Sequence, residues 1–367
     1  MHIKTKFRRF CLSEQRLLIS KGIFCSHAHQ WKMEDAAMIN TASFNQSAPI
    51  RIARALMVAT GLLFSAVASA VPYSIGDVFA STSDGKVNVY SQSGAFIQTL
   101  DTGLGGYTTG GTFDNAGNFY VTAFSSNVVS KFDNNGNLVN ATWATGLGSN
   151  ESIVFNAAGE AYIGNAGAAQ IKKVDATGAQ LDVINVLQNT DWIDLAADQK
   201  TLLYSNEGSV IRQIDTSTNV DTVFTSGSYG SIYAKRYLAD GGVTAASSTG
   251  NVYRWDSSGV LQQTYAIGIG SVFALNLDPN GTSFWTGATG GQAVRKINLT
   301  TGAIEESWST GVGQLYGLTV YGEIQAGGGG VDNGGGEVSV PEPATLGLLG
   351  LGLLSLMFAG TRRRTLS

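Results

Sequence analysis

One element returns six times along the chain at an almost constant spacing, and this limits the available folds more than any single residue does. A short apolar strand ending at a turn residue appears as VNVYS (ending at Ser91), VSKFD (Asp133), IKKVD (Asp175), IRQID (Asp215), VYRWD (Asp256) and VRKIN (Asn298). The steps between these ends are 42, 42, 40, 41 and 42 residues. Self-similarity at one fixed period marks a repeat architecture, in which each unit buries its apolar face against its neighbours.

Each unit divides further into four strand-sized pieces. The second reads GTFD, NFYVTA, VSKFD and LVNATW; the third reads SIVFN, AYIGN, IKKVD and LDVINV. Alternating apolar and β-branched residues predict strands with two unlike faces. Between them recur Asp114-Asn115-Ala116-Gly117, Asp133-Asn134-Asn135-Gly136, Asn156-Ala157-Ala158-Gly159, Asp175-Ala176-Thr177-Gly178 and Asp278-Pro279-Asn280-Gly281. In such a turn the Asp or Asn side chain accepts a backbone N–H and Gly takes the positive-φ position. The same reading covers the Asp series at 133, 175, 215 and 256, which is therefore not expected to be a metal array. A four-stranded unit of this period predicts an all-β, six-bladed β-propeller spanning 71–324. The first unit starts at IGDVFAS, which aligns with a second strand, whereas LYGLTVYG (315–322) aligns with an inner strand that has no blade of its own. The C-terminal strand is therefore expected to close the first blade and remove two open sheet edges.

The units resemble NHL-type and gluconolactonase-like propellers in the pattern F-D-x-x-G-N-x-Y-V followed by K-F-D-x-x-G. Phe113 to Val121 and Lys131 to Gly136 carry the likeness best. That resemblance implies a ligand site at one mouth of a central channel, where loops entering the inner strands meet loops joining strands two and three. Those loops supply Asn150, Glu151, Asn165, Asp191, Trp192, Asn206, Glu207, Tyr229 and Tyr316. Glu151, Asp191, Trp192, Glu207, Tyr229 and Tyr316 are expected to form an exposed partner-binding face, with the aromatics free to stack on sugars or anchor a protein. Relatives of the gluconolactonase type hold a divalent metal in the channel. Glu151, Asn165, Asp191 and Asn206 have the oxygen donors suited to a hard cation such as calcium.

Both ends read as addresses. Residues 51–70, RIARALMVATGLLFSAVASA, have a basic n-region (Arg51, Arg54), an apolar h-region and the small-residue site Ala68-Ser69-Ala70, so a signal peptide over 38–70 should be cut to expose Val71. The preceding 1–37 read as an extension upstream of the true start, Met38 or Met57; a long n-region is the alternative. At the other end, Pro341-Glu342-Pro343 leads into the apolar run Ala344–Gly360 and the cluster Arg362, Arg363 and Arg364. This order resembles the PEP-CTERM sorting signal over 341–364. The resemblance implies a single transmembrane sorting helix, transient inner-membrane anchoring, cleavage by exosortase, and release to the cell surface or matrix. The arginines favour the cytoplasmic side. The Gly-rich 325–340 reads as a flexible linker.

Charge and composition narrow the function. Between 71 and 340 there are 11 Lys and Arg against 23 Asp and Glu, a balance of −12. Such an acidic body is unsuited to nucleic acid, whose phosphates need a cationic face. Both cysteines (Cys11, Cys25) and all three histidines (His2, His27, His29) precede the cleavage site. The mature body thus has no disulfide, no Cys–His or Ser–His pair, and no G-x-S-x-G elbow. The expectation is an exported, non-enzymatic propeller binding an exopolysaccharide or a surface protein. The alternative is a metal-dependent lactonase or hydrolase of the gluconolactonase-like type.

Overall fold

The structure is a computed structural model and describes residues 71–327 and Val331. The expected signal peptide, with Ala68 and Ala70, and the sorting tail at 341–364 lie outside the described residues. No helix among the described residues is long and apolar enough to cross a membrane.

The described chain forms 24 strands in six four-stranded antiparallel sheets. Blade 1 holds β1 (Val78–Ser81), β2 (Lys86–Tyr90) and β3 (Phe96–Asp101). Blade 2 is β4 (Thr108–Phe113), β5 (Phe119–Ala123), β6 (Val128–Phe132) and β7 (Leu138–Ala144). Blade 3 is β8 (Asn150–Phe155), β9 (Ala161–Asn165), β10 (Gln170–Val174) and β11 (Gln180–Asn185). Blade 4 is β12 (Trp192–Leu195), β13 (Thr201–Ser205), β14 (Val210–Asp215) and β15 (Val220–Ser226). Blade 5 is β16 (Ile232–Tyr237), β17 (Val243–Ser247), β18 (Asn251–Trp255) and β19 (Leu261–Ala266). Blade 6 is β20 (Val272–Leu277), β21 (Ser283–Ala288), β22 (Ala293–Asn298) and β23 (Ile304–Ser309). The last strand, β24 (Gly317–Val320), pairs with β1 and supplies the inner strand that blade 1 lacks. Closure thus takes three strands from one end of the body and one from the other, as the alignment of 315–322 predicts.

The inner strands β4, β8, β12, β16, β20 and β24 touch in a closed ring around the channel. They begin at one end, here the mouth, and finish at the other, the turn face. Alternation along each strand sends successive side chains to opposite neighbours. In blade 1, Phe79 joins the cluster shared with blade 2, while Val78 and Ala80 join the cluster shared with blade 6. Six apolar clusters result, one per blade interface. Outer strands are largely exposed, as β23 shows, whereas β4, β8 and β20 are buried throughout. At two glycines, neighbouring inner strands meet so closely that no side chain would fit. A Cβ on Gly317 would lie 2.1 Å from the Thr109 carbonyl oxygen, and one on Gly110 would lie 2.6 Å from that of Glu151.

The Asp-x-x-Gly turns are structural. Asp114 Oδ1 accepts N–H groups from Ala116 and Asn118, and Gly117 sits at φ 79°. Asp133, Asp175, Asp215 and Asp256 likewise accept from their own turns. Hydrogen bonds from Thr177 hold the Asp175 carboxyl below its usual range. One boundary needs correction. The linker does not begin at 325, because Gln325 and Gly327 are hydrogen-bonded to the propeller and Ala326 packs on the cluster between blades 4 and 5.

Candidate functional site

Three of the expected mouth residues converge. Carboxylate oxygens of Glu151, Asp191 and Glu207 lie within 4.8 Å of one another. Each is placed by a different device. Glu151 sits on β8 at a register shift between Asn150 and Ile153, a bulge of the kind that re-aims side chains. Its carbonyl is held by the hydroxyls of Thr109 and Thr122, at 3.0 and 3.1 Å. Asp191 immediately precedes β12, and its amide donates to the Ser205 carbonyl at 3.0 Å. Glu207 occupies the turn between β13 and β14 at φ 59°. The equivalent turns of blades 1, 5 and 6 place Gly85, Gly250 and Gly290 at positive φ, and blade 2 places Asn127, a type that tolerates it. A glutamate there carries backbone strain of order 1 kcal/mol, a cost typical of functional positions.

Burial dominates the electrostatics. Asp191 is fully buried, and both its carboxylate oxygens lack a hydrogen-bond partner. Desolvation, reinforced by Glu207 and opposed by Lys235, pushes its carboxyl up to about 8. Desolvation also raises Glu151 well above the ordinary carboxylate range, with Asp191 and Glu207 adding to the effect. Lys235 lies on β16 beyond another register shift, between Ile232 and Lys235, and is fully buried. Its Nζ donates to the Trp192 carbonyl at 2.7 Å, and burial pulls its ammonium down to about 7. Burial and the nearby charges of Glu207 and Glu151 raise the half-buried Tyr233 phenol. Three carboxylates therefore face one ammonium in a desolvated mouth. Burial favours the protonated forms of Glu151 and Asp191, because a desolvated carboxylate is costly.

The rest of the expected set falls elsewhere. Asn165 donates to the Leu147 carbonyl and accepts from the Gly167 amide, while Asn206 accepts from the Gly208 amide. Both asparagine side chains bond to mouth-loop backbone, while the carboxylates that converge are those of Glu151, Asp191 and Glu207. Asn150 is buried and donates to the Val128 carbonyl. The exposed aromatic face is also corrected. Trp192 is only 4% exposed and stacks edge-on against Phe273, with centroids 5.3 Å apart. Tyr316 is buried against Tyr107, and Tyr229 is half-buried against Tyr253 and Trp255. Trp192→Ala should therefore destabilise the body by about 3–5 kcal/mol, as core truncations do. A thermal melt of the variant checks this, and an unchanged midpoint would return Trp192 to the surface.

Sequence reading missed Lys235 and Tyr233. Their signal was a Lys-Arg pair inside the apolar inner-strand segment SIYAKRYL, where strand alternation leaves no solvent-facing side.

Residues 339–364 match the PEP-CTERM protein-sorting motif family. No curated protein matches the chain. Among solved structures it is similar to a chain of a nidogen/laminin complex, at 14% identity and TM-score 0.57, covering 67% of this chain and 98% of that one. It is also similar to the WD40 β-propeller domain of Doa1, at 16% identity and TM-score 0.53, covering 70% and 87%. At these identities the likeness concerns the fold alone. The chain is an exported protein with a six-bladed propeller body. Its C-terminal tail is the substrate signal for exosortase processing.

Proposed function

We propose that the exported body is a non-catalytic binding protein whose channel mouth holds a divalent cation of the calcium type through Glu151, Asp191 and Glu207. The observation that carries this reading is the Asp191 carboxylate, fully buried, without a hydrogen-bond partner and aimed at two more carboxylates. Oxygen donors of this kind suit a hard cation. A bound ion would remove the repulsion that burial imposes on them. The loaded mouth would then present the cation and the half-buried Tyr229 and Tyr233 to a glycan or protein partner. The tail anchors the protein transiently in the inner membrane, and processing leaves the body at the cell surface or in the exopolysaccharide matrix. A hydrolase would need a base beyond the three ligating carboxylates. Lys235, the nearest candidate, is sealed from solvent and donates to a backbone carbonyl.

Titrating the processed protein with calcium, magnesium and manganese tests the cation. Saturation at about 100 times the dissociation constant should add roughly 2.7 kcal/mol of stability. For a body of this size, that raises the melting temperature by about 5–10 °C. Asp191→Asn should abolish the shift. No stoichiometric metal by elemental analysis, together with no thermal shift at millimolar ion, would refute the cation site.

A further inference from the structure

The turn-face end of the channel is occupied by the chain itself. After β24 the backbone crosses the channel, and Glu323 is nearly buried there. Its carboxylate receives Arg236 Nε at 2.7 Å and Nη2 at 3.3 Å from blade 5. From blade 6 it receives the Leu277 amide at 2.8 Å and the Asn276 side-chain amide. Gln325 donates to Thr112 Oγ1 of blade 2 at 3.0 Å. Gly327 lies so close to Leu195 of blade 4 that an added Cβ would sit 2.9 Å from it. The segment leaves blade 1 and is gripped by blades 2, 4, 5 and 6.

A second observation comes from the repeat. The turn after the inner strand places Gly117, Gly159, Gly241 and Gly281 at positive φ in blades 2, 3, 5 and 6. Blade 4 places Gln199 there, at φ 65°. Its amide donates to the Ala196 carbonyl, just as Gly117 donates to that of Asp114. The turn is unchanged, and only the residue type departs. The Gln199 side chain accepts the Ala157 amide of blade 3 at 2.8 Å and donates to the Gly327 carbonyl. A left-handed glutamine is disfavoured on its own account. It stands where a side chain is needed to join blade 3, blade 4 and the crossing segment.

We infer that Glu323–Gly327 is a docked strap that closes the turn-face end of the channel, clasped by Arg236 at one end and Gln199 at the other. The channel is thereby a one-ended pocket, and solutes and partners enter only past Glu151, Asp191 and Glu207. The last strap residue, Gly327, lies at this end against Leu195.

Nuclear magnetic resonance on the processed protein tests the strap, with Gln199→Gly and Glu323→Ala as variants. In the parent, backbone order parameters at 325–327 should be near 0.85, the value of rigid backbone, and should fall below about 0.6 in Glu323→Ala. The Leu277 amide should exchange at least about tenfold faster in that variant, since it loses its charged acceptor. Gln199→Gly should free 326–327 without lowering the melting temperature, because glycine relieves the left-handed strain. A strap that is mobile in the parent, or rigid in both variants, overturns the inference. So does a Gln199→Gly protein that melts earlier with its strap still ordered, since Gln199 would then serve only its turn.

Discussion

Ending the chain at Gln314 should abolish the cooperative fold of the whole body, although only the closing strand and the residues C-terminal to it are removed. Leu315, Leu318 and Val320 are buried between blades 6 and 1. Each loses roughly 1.5–3 kcal/mol of burial. The loss also frees the edge of β1, whose four residues pair with β24 from Val78↔Val320 to Ser81↔Gly317. It strands Arg236, buried beside Asp194, without its Glu323 partner. Breaking a buried ion pair by removing one member costs about 3–5 kcal/mol. Together these losses rival the roughly 5–15 kcal/mol that typically holds a domain together. Circular dichroism and calorimetry of the shortened protein should show no cooperative melt at ambient temperature. A sharp transition within a few degrees of the parent would mean that the ring does not need its closing strand.

The parts of this architecture that were legible in the sequence are the parts encoded locally. Strand alternation, the Asp-x-x-Gly turns and the period act within a few residues, so they recur as visible text six times. Closure was legible for the same reason, because 315–322 carries an inner-strand pattern with no unit around it. The mouth was half legible. Glu151, Asp191 and Glu207 stand at matching positions of known loops, and counting strands brings them to one face. The aim of Glu151 depends on the register shift in β8 between Asn150 and Ile153, which leaves no mark in composition.

What failed was burial at the mouth. Trp192 reads as a loop aromatic in DWIDL, yet β12 begins on it and its partner Phe273 comes from blade 6. The buried pair Arg236–Glu323 was equally hidden, because its members are 87 residues apart and meet only once the ring closes. Departures from the repeat were the better guide. Four non-glycine residues take positive φ among the described residues: Asn127, Asn219, Gln199 and Glu207. The two asparagines are of a type suited to that backbone. The other two, both in blade 4, carry the strap clasp and the third carboxylate of the mouth.

Replacing Pro341, Glu342 and Pro343 by alanine should stop release of the protein while leaving its body folded. The motif lies within the matched sorting segment, 339–364, and exosortase processing depends on that signal. Without it, the apolar run Ala344–Gly360 remains attached, followed by Arg362, Arg363 and Arg364. A run of this length is near the lower limit for crossing a bilayer, and the arginines would hold its far end in the cytoplasm. The variant should therefore collect in the inner-membrane fraction, at the level seen for the parent in a host without exosortase. Its melting temperature should match the parent's, because the strap and Val331, which packs on the cluster between blades 1 and 2, precede the motif and every blade is complete before it. Loss of release by misfolding would instead appear as a lowered melt and as degradation, which is the outcome expected of the chain ended at Gln314. Fractionation and a melt of the same variant thus separate the address from the fold. Undiminished release of the alanine variant would show that Pro341-Glu342-Pro343 is not what the processing enzyme reads.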